Sequence, residues 1–281
     1  MTQAQGGTKK VRVLVLAGYG LNCDHETAHA FDLAGGASHR IHINDLISGR
    51  VLLQDYDILV LGGGFSWADD HGAGVLEAVR LQHNIGEALQ RFIEEGKLVL
   101  GICNGFQALV NLGFLPGFDA DYKQKRVALT YNDCGNFRDD WVNLTANQQS
   151  PCVFTKGITE LELPIRHGEG KFIAPVEVIK RLADQGQIVF QYATPEGAVA
   201  GGNFPYNPNG SVEDIAGVCD PTGRIFGLMP HPEAFNHWTN HPGWTRRKVL
   251  SKRQGRRIDT ELPVAMKIFK NAVEHMQETS A

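Results

Sequence analysis

The chain has no CxxC pair. Its five cysteines (Cys23, Cys103, Cys134, Cys152 and Cys219) are scattered and odd in number. That pattern argues against a disulfide framework and a cysteine zinc site, and fits a reducing, intracellular setting. No apolar run approaches the length of a membrane span. The polar stretch from Met1 to Lys10 lacks the apolar centre of a secretory signal, so residues 1–10 read as a mobile tail and the expected location is the cytoplasm. Positive charge is not in excess: 27 Lys and Arg against 31 Asp and Glu give a net charge of −4, which disfavours a general nucleic-acid binder. Gly18-Tyr-Gly20 and Gly62-Gly-Gly64 lack both the Lys-Ser/Thr of a P-loop and a full GxGxxG. Repeats, linkers and low-complexity tracts are missing as well, so residues 11–281 read as one domain.

What is present suffices for a sizeable core, with 42% hydrophobic and 21% charged residues over 281 positions. Val11 to Ala17 reads as a strand ending at Gly18-Tyr-Gly20. A helical pattern from Cys23 to Leu33 follows, closed by Gly35-Gly36. Further strands are expected at 38–43, 56–61 and 97–102, with an amphipathic helix over 77–94. This alternation predicts an α/β fold with an open, mostly parallel sheet flanked by helices. Ligands of such sheets bind beyond the carboxyl ends of the strands, so both glycine loops and Cys103 should meet at one crevice. The second half offers short strands at 127–129, 141–144, 188–192, 215–219 and 224–229, a smaller antiparallel portion, and a final helix over 263–277.

The sharpest signal is Leu98-Val-Leu-Gly101-Ile-Cys103-Asn-Gly105-Phe-Gln107. A buried strand runs into Gly-x-Cys-x-Gly and straight on into a helical pattern, the layout of a nucleophile elbow with cysteine in the serine position. The helix N-terminus favours a thiolate there. A buried structural cysteine followed by a loop glycine is the competing interpretation. A free thiol is only about 3% ionised at neutral pH, so a base is required, and a carboxylate to orient that base. His231 and Glu233 in Met229-Pro-His-Pro-Glu233 stand two apart in an extended, proline-fixed segment and so point to one side. The alternative is a proline-rich turn with a capping histidine. The oxyanion donors expected are the backbone amides of Asn104 and Gly64. His231, His237 and His241 come without a carboxylate–histidine motif, so no metal site is expected.

Together, Gly-Ile-Cys103-Asn-Gly-Phe-Gln107 and Met229-Pro-His231-Pro-Glu233 resemble the class I, or triad, glutamine amidotransferases, whose fold is flavodoxin-like. Asn22-Cys-Asp-x-Glu26-Thr-Ala-His, Gly63-Gly-Phe-Ser66, Arg166-His-Gly-Glu-Gly-Lys-Phe172 and Asn207-Pro-Asn-Gly-Ser-Val-Glu-Asp-Ile-Ala-Gly217 are similar to one branch, the glutaminase part of phosphoribosylformylglycinamidine synthase. The resemblance implies Cys103 as a nucleophile forming a γ-glutamyl thioester, His231 as base and then acid, and Glu233 as its orienter. It places Gln107, His167 and Glu169 near the substrate, L-glutamine. No cofactor is implied in this chain. ATP and Mg are expected on a separate synthetase subunit, with a small accessory subunit as a further candidate partner. The synthetase subunit would convert formylglycinamide ribonucleotide to formylglycinamidine ribonucleotide in purine synthesis. The glutaminase of a GMP or CTP synthetase, a cysteine hydrolase on a similar elbow and a non-catalytic regulatory subunit remain as other readings.

Two departures stand out. The branch's usual Pro-Gly-Gly-Phe-Ser-Tyr-Gly-Asp is here Gly62-Gly-Gly-Phe-Ser-Trp67-Ala68-Asp69, followed by Asp70-His71. The segment 234–262 is atypical and carries Trp238, Trp244 and a basic run of Arg246, Arg247, Lys248, Lys252, Arg253, Arg256 and Arg257. It reads as a solvated extension or as a docking surface for the synthetase or its anionic substrate.

Overall fold

Strands that read as unbroken apolar runs need cover on both faces, and here they form the middle of one large sheet. The computed structural model describes residues 10–256 and 262–279. The first half alternates as expected: β1 (Arg12–Ala17), α1 (Asp24–Leu33), β2 (Ala37–His42), α2 (Ile43–Ile47), β3 (Ile58–Leu61), α3 (Val75–Glu94), β4 (Leu98–Ile102) and α4 (Asn104–Leu112). Every residue of β3 and β4 is buried. The second half contributes β5 (Ala128–Thr130), β6 (Arg138–Ala146), β7 (Glu160–His167), β8 (Lys171–Ile173), α5 (Val176–Asp184), β9 (Ile188–Ala193), β10 (Ile215–Cys219) and β11 (Ile225–Leu228). It closes with α6 (Trp244–Arg253) and α7 (Lys267–Thr279).

The nine-stranded sheet has the order β2-β1-β3-β4-β11-β10-β9-β6-β7, and β5 pairs with β8 in a separate ribbon. β2, β1, β3, β4 and β11 run parallel, each pairing in register with its neighbour. That is the 2-1-3-4-5 order of flavodoxin-like folds, with β11 in fifth place. β10, β9, β6 and β7 extend the same sheet antiparallel. α7 packs between α1, where Phe269 meets Phe31 edge-on at 5.0 Å between ring centres, and the segment after β6, where Asn271 Nδ2 donates to Phe154 O at 2.8 Å. Among the described residues, no helix is long and apolar enough to cross a membrane.

The structure adds elements that periodicity did not predict. β7 carries Pro164 in its interior and glutamates at 160 and 162. It tolerates them because it is the edge strand, where a missing N–H and polar outward positions cost little. β8, α2, α5 and α6 are short or strongly polar. The strand expected at 141–144 is the centre of a nine-residue strand. The expected tail, residues 1–9 of it, and Arg257 of the basic run lie outside the described residues.

The segment after Glu233 is less solvated than the simplest reading held. Phe235 packs edge-on against Trp141 of β6 at 5.1 Å, and Trp141 also meets His241 at 4.5 Å. Glu162 of β7 accepts from His241 Nε2 at 2.8 Å and pairs with Arg247. This stretch therefore covers part of the β6–β7 edge, leaving Arg246, Lys248, Lys252, Arg253 and Arg256 exposed.

Candidate active site

The turn from β4 into α4 is as tight as its glycines imply. A Cβ at Gly105 would fall 1.8 Å from the Leu61 carbonyl oxygen, and one at Gly101 would fall 2.7 Å from the Gly105 carbonyl oxygen. Between them Cys103 adopts φ 51 and ψ −107, a left-handed conformation that costs an L-residue roughly 1–3 kcal/mol. The strain is held by neighbours: the Cys103 amide donates to Leu228 O of β11 at 2.8 Å. Its thiol is 4% exposed and donates to Arg166 O at 3.7 Å.

β11 lies beside β4 and delivers the segment with His231 and Glu233 to the same end of the sheet. The His231 amide donates to Pro164 O of β7 at 2.8 Å, so the segment is fastened from two sides. His231 Nδ1 lies 2.5 Å from Glu233 Oε1, and both side chains are buried. With Nδ1 taken by the carboxylate, Nε2 remains buried without a hydrogen-bond partner. Burial alone would lower the pKa of His231. The Glu233 carboxylate, then the Cys103 thiol and the Cys23 contact, outweigh burial and push it well above the ordinary imidazole value. Cys103, 128 positions before His231 in sequence, is thus near enough to interact with the ring that Glu233 holds.

The glycine loops converge there too. Asn22 and Cys23 amides donate to Gly63 O, and Phe65 N donates to Gly20 O at 2.9 Å. Gly64 has φ +146, and a Cβ on it would sit 2.6 Å from Gly20 O. The backbone of Gly64 and of Asn104 therefore stands at the carboxyl ends of adjacent strands, β3 and β4. A Cβ on Gly63 would come 2.7 Å from His231 Cε1, so the base needs a glycine beside it.

The other expected residues are distributed less simply. Gln107 is buried, and its side-chain amide donates to the Glu169 carbonyl. Glu169 Oε2 accepts from Ala73 N at 3.2 Å. An open cavity of about 890 Å³ is lined by Trp67, Asp69, Asp70, Tyr131 and Glu169, among others. His167 faces inward. Its Nδ1 donates to Asn132 Oδ1 at 3.1 Å, an oxygen that also accepts from Gly170 N at 3.0 Å. Burial first, then the charge of His231, lowers its pKa to about 3, so the ring is neutral and braces the 167–170 turn. His237 caps a short turn and His241 pairs with Glu162, so neither joins His231.

Four residues at or near the site escaped sequence reasoning. Cys23 Sγ lies 4.0 Å from His231 Nδ1. Burial, ahead of smaller effects, raises the pKa of that thiol. Cys23, His231 and Glu233 place one donor atom each within 4.8 Å of one another; a cation could enter only by displacing the proton between Nδ1 and Oε1. Asn132 organises the 167–170 turn. Asp69 has a buried, unpartnered Oδ1, and burial and then Glu169 raise its pKa to about 6. Glu77, in the first turn of α3, is fully buried and touches Asn104. Cys23 and Asp69 fall inside segments that the sequence already singled out; Asn132 and Glu77 carry no local pattern.

Comparisons with known proteins place the chain in a family. The family described as the CobB/CobQ-like glutamine amidotransferase domain matches residues 10–276. Phosphoribosylformylglycinamidine synthase subunit PurQ of Methanococcus maripaludis is 46% identical over 267 residues, 95% of this chain and 98% of that one. The subunit of the same name from Dehalococcoides mccartyi is 42% identical over 94% of this chain and 97% of its own length. A chain in the structure of PurLQS from Thermotoga maritima superposes with a TM-score of 0.67 at 28% identity, covering 95% of this chain and all of that one.

Proposed function

The chain belongs to the CobB/CobQ-like glutamine amidotransferase family, and from that premise we propose that it is the glutaminase subunit of a phosphoribosylformylglycinamidine synthase. It hydrolyses L-glutamine and hands the ammonia to a separate synthetase subunit. That partner carries the ATP- and Mg-dependent amidation of formylglycinamide ribonucleotide, in an assembly of the kind named for the Thermotoga maritima structure. The cytoplasm is the compartment that suits this step. Residues 11–281 act as one amidotransferase domain; the nine strands of one sheet support this.

The observation that carries the reading is the His231–Glu233 contact at 2.5 Å, which leaves Nε2 as the nitrogen available to Cys103. Cys103 Sγ attacks the side-chain amide carbon of glutamine, and His231 takes the thiol proton. The carbonyl oxygen becomes an oxyanion between the amides of Asn104 and Gly64. Collapse breaks the C–N bond, and His231 gives its proton to the departing ammonia. Water then attacks the γ-glutamyl thioester with His231 again as base, releasing glutamate and the thiol. Glu233 fixes the ring and balances the imidazolium. Glu169, with Asp69 beside the open cavity, suits the α-ammonium of glutamine, while Gln107 and His167 support the turn that presents Glu169.

Covalent labelling with a glutamine-analogue electrophile, mapped by mass spectrometry, tests the assignment. Modification is expected at Cys103, and Cys103→Ala should lose both label and glutamate release. Stoichiometric labelling at another residue, with turnover intact in Cys103→Ala, overturns it.

A further inference from the structure

Glu77 has no part in that scheme, yet it is fully buried at the first turn of α3. One oxygen, Oε2, accepts from Asn104 Nδ2 at 2.5 Å. The other, Oε1, is buried without a hydrogen-bond partner. Asn104 Oδ1 in turn accepts from Ser66 N at 3.1 Å and from Ser66 Oγ at 2.9 Å. A chain of polar groups thus runs from α3 through the first residue of α4 to the loop after β3.

A carboxyl group in such a place is expensive. With no cation paired to it, the ionised form would forfeit several kcal/mol of solvation. Burial, only partly offset by the bond from Asn104 and by the nearby Ser66 hydroxyl, pushes its pKa to about 8, so the group stands neutral at pH 7. A leucine would fill the same volume without that cost but could not hold Asn104. What Asn104 and Ser66 share is position. Asn104 follows the nucleophile, and Ser66 lies two residues beyond Gly64. Asn104 and the loop that Ser66 anchors thus carry the two proposed oxyanion donors, the amides of Asn104 and Gly64, and no pairing between β3 and β4 joins those donors directly, because both strands have ended by then.

We propose that Glu77 is a positioning residue, which clamps the Gly64–Ser66 loop to the Asn104 turn through the Asn104 side chain and so sets the spacing of the oxyanion hole. This rests on the amidotransferase reading of the site. The chemistry also favours the neutral acid: a carboxylate one residue from the hole would oppose the negative charge that develops there. Misplacing a donor by about 1 Å can cost on the order of 10²-fold in rate.

The test uses the complete synthetase complex and four variants: Glu77→Ala, Glu77→Leu, Glu77→Gln and Ser66→Ala. Glu77→Ala and Glu77→Leu are expected to lower kcat for glutamine hydrolysis on the order of 10²-fold, with KM for glutamine within about twofold of wild type. Ser66→Ala, a milder cut at the far end of the same chain, should lower kcat severalfold and stay folded. Glu77→Gln keeps an acceptor for Asn104 Nδ2 without charge and should recover most of the lost kcat. Direct alkylation of Cys103 by a glutamine analogue should persist in every folded variant. The inference is overturned if folded Glu77→Leu or Ser66→Ala keeps the wild-type kcat, or if Glu77→Gln is as slow as Glu77→Ala. If Cys103 goes unlabelled in the wild type, the amidotransferase reading itself has failed, a separate outcome.

Discussion

At the scale of single residues, the chain spends stability to place a few groups. Cys103 holds a left-handed backbone angle, and Glu77 buries an acid without a counter-ion among the described residues. The second has a measurable signature. The Glu77 pKa is raised from its usual 4.5 to about 8 on folding, so the folded state keeps a proton that the unfolded state sheds. The stabilising effect is complete below pH 4.5 and is lost as pH climbs through about 8. Glu77→Gln removes that dependence. The melting-temperature difference, variant minus wild type, is therefore expected to grow from pH 5 to pH 9; a difference flat across that range would contradict the assignment. Cys103, His231 and Glu233 stood out in the sequence because each belongs to a short pattern with steric or chemical meaning: glycines around a bend, prolines around a histidine. Glu77 could not, because it opens an amphipathic helix like any surface glutamate, and only the packing of α3 on α4 turns it inward. Asn132 was hidden in the same way, its partners lying 35 and 38 residues away.

At the scale of elements, the most strained piece is the loop between β3 and α3. Trp67, Ala68, Asp69 and His71 all have φ between 52 and 65, and none is glycine. The sequence marked this stretch, since Ala68 departs from the glycine that the resemblance implies there. The structure supplies the consequence: a Cβ in a left-handed conformation costs roughly 1 kcal/mol. Ala68→Gly is expected to relieve part of it, offset by greater freedom in the unfolded chain. Calorimetry should show a small rise in melting temperature, and a fall would mean that the Ala68 methyl makes contacts worth more than the strain. Elements escaped the sequence where tertiary context overrode local preference. β7 contains proline and two glutamates, composition that reads as a loop, and only its edge position lets it pair along its whole length with β6. The parallel strands β3 and β4 were legible because burial on both faces leaves them no polar positions.

At the scale of the whole molecule, the parallel half was visible in the alternation of strands and helices. The joining of the antiparallel strands to the same sheet was not, because nothing local to 188–192 or 215–219 shows which neighbour they pair with. The molecule also has two chemically distinct exposures: the acidic cavity near Glu169 and the basic outer side of α6. If this chain feeds a synthetase, glutamine hydrolysis should be slow in isolation and rise severalfold when the synthetase and its ribonucleotide are added, with ammonia appearing in product rather than in bulk solvent. Rates equal with and without the partner would remove the case for transfer between subunits.

The hydrogen bonds that fasten Cys103 to Leu228 and His231 to Pro164 have a consequence for the growing chain. Cys103 is synthesised long before His231, and β11 reaches β4 only after most of the polypeptide has emerged. Pairings of such wide sequence separation form late. An unfinished copy that stops before β11 accordingly holds Cys103 without the histidine that the proposed reaction requires.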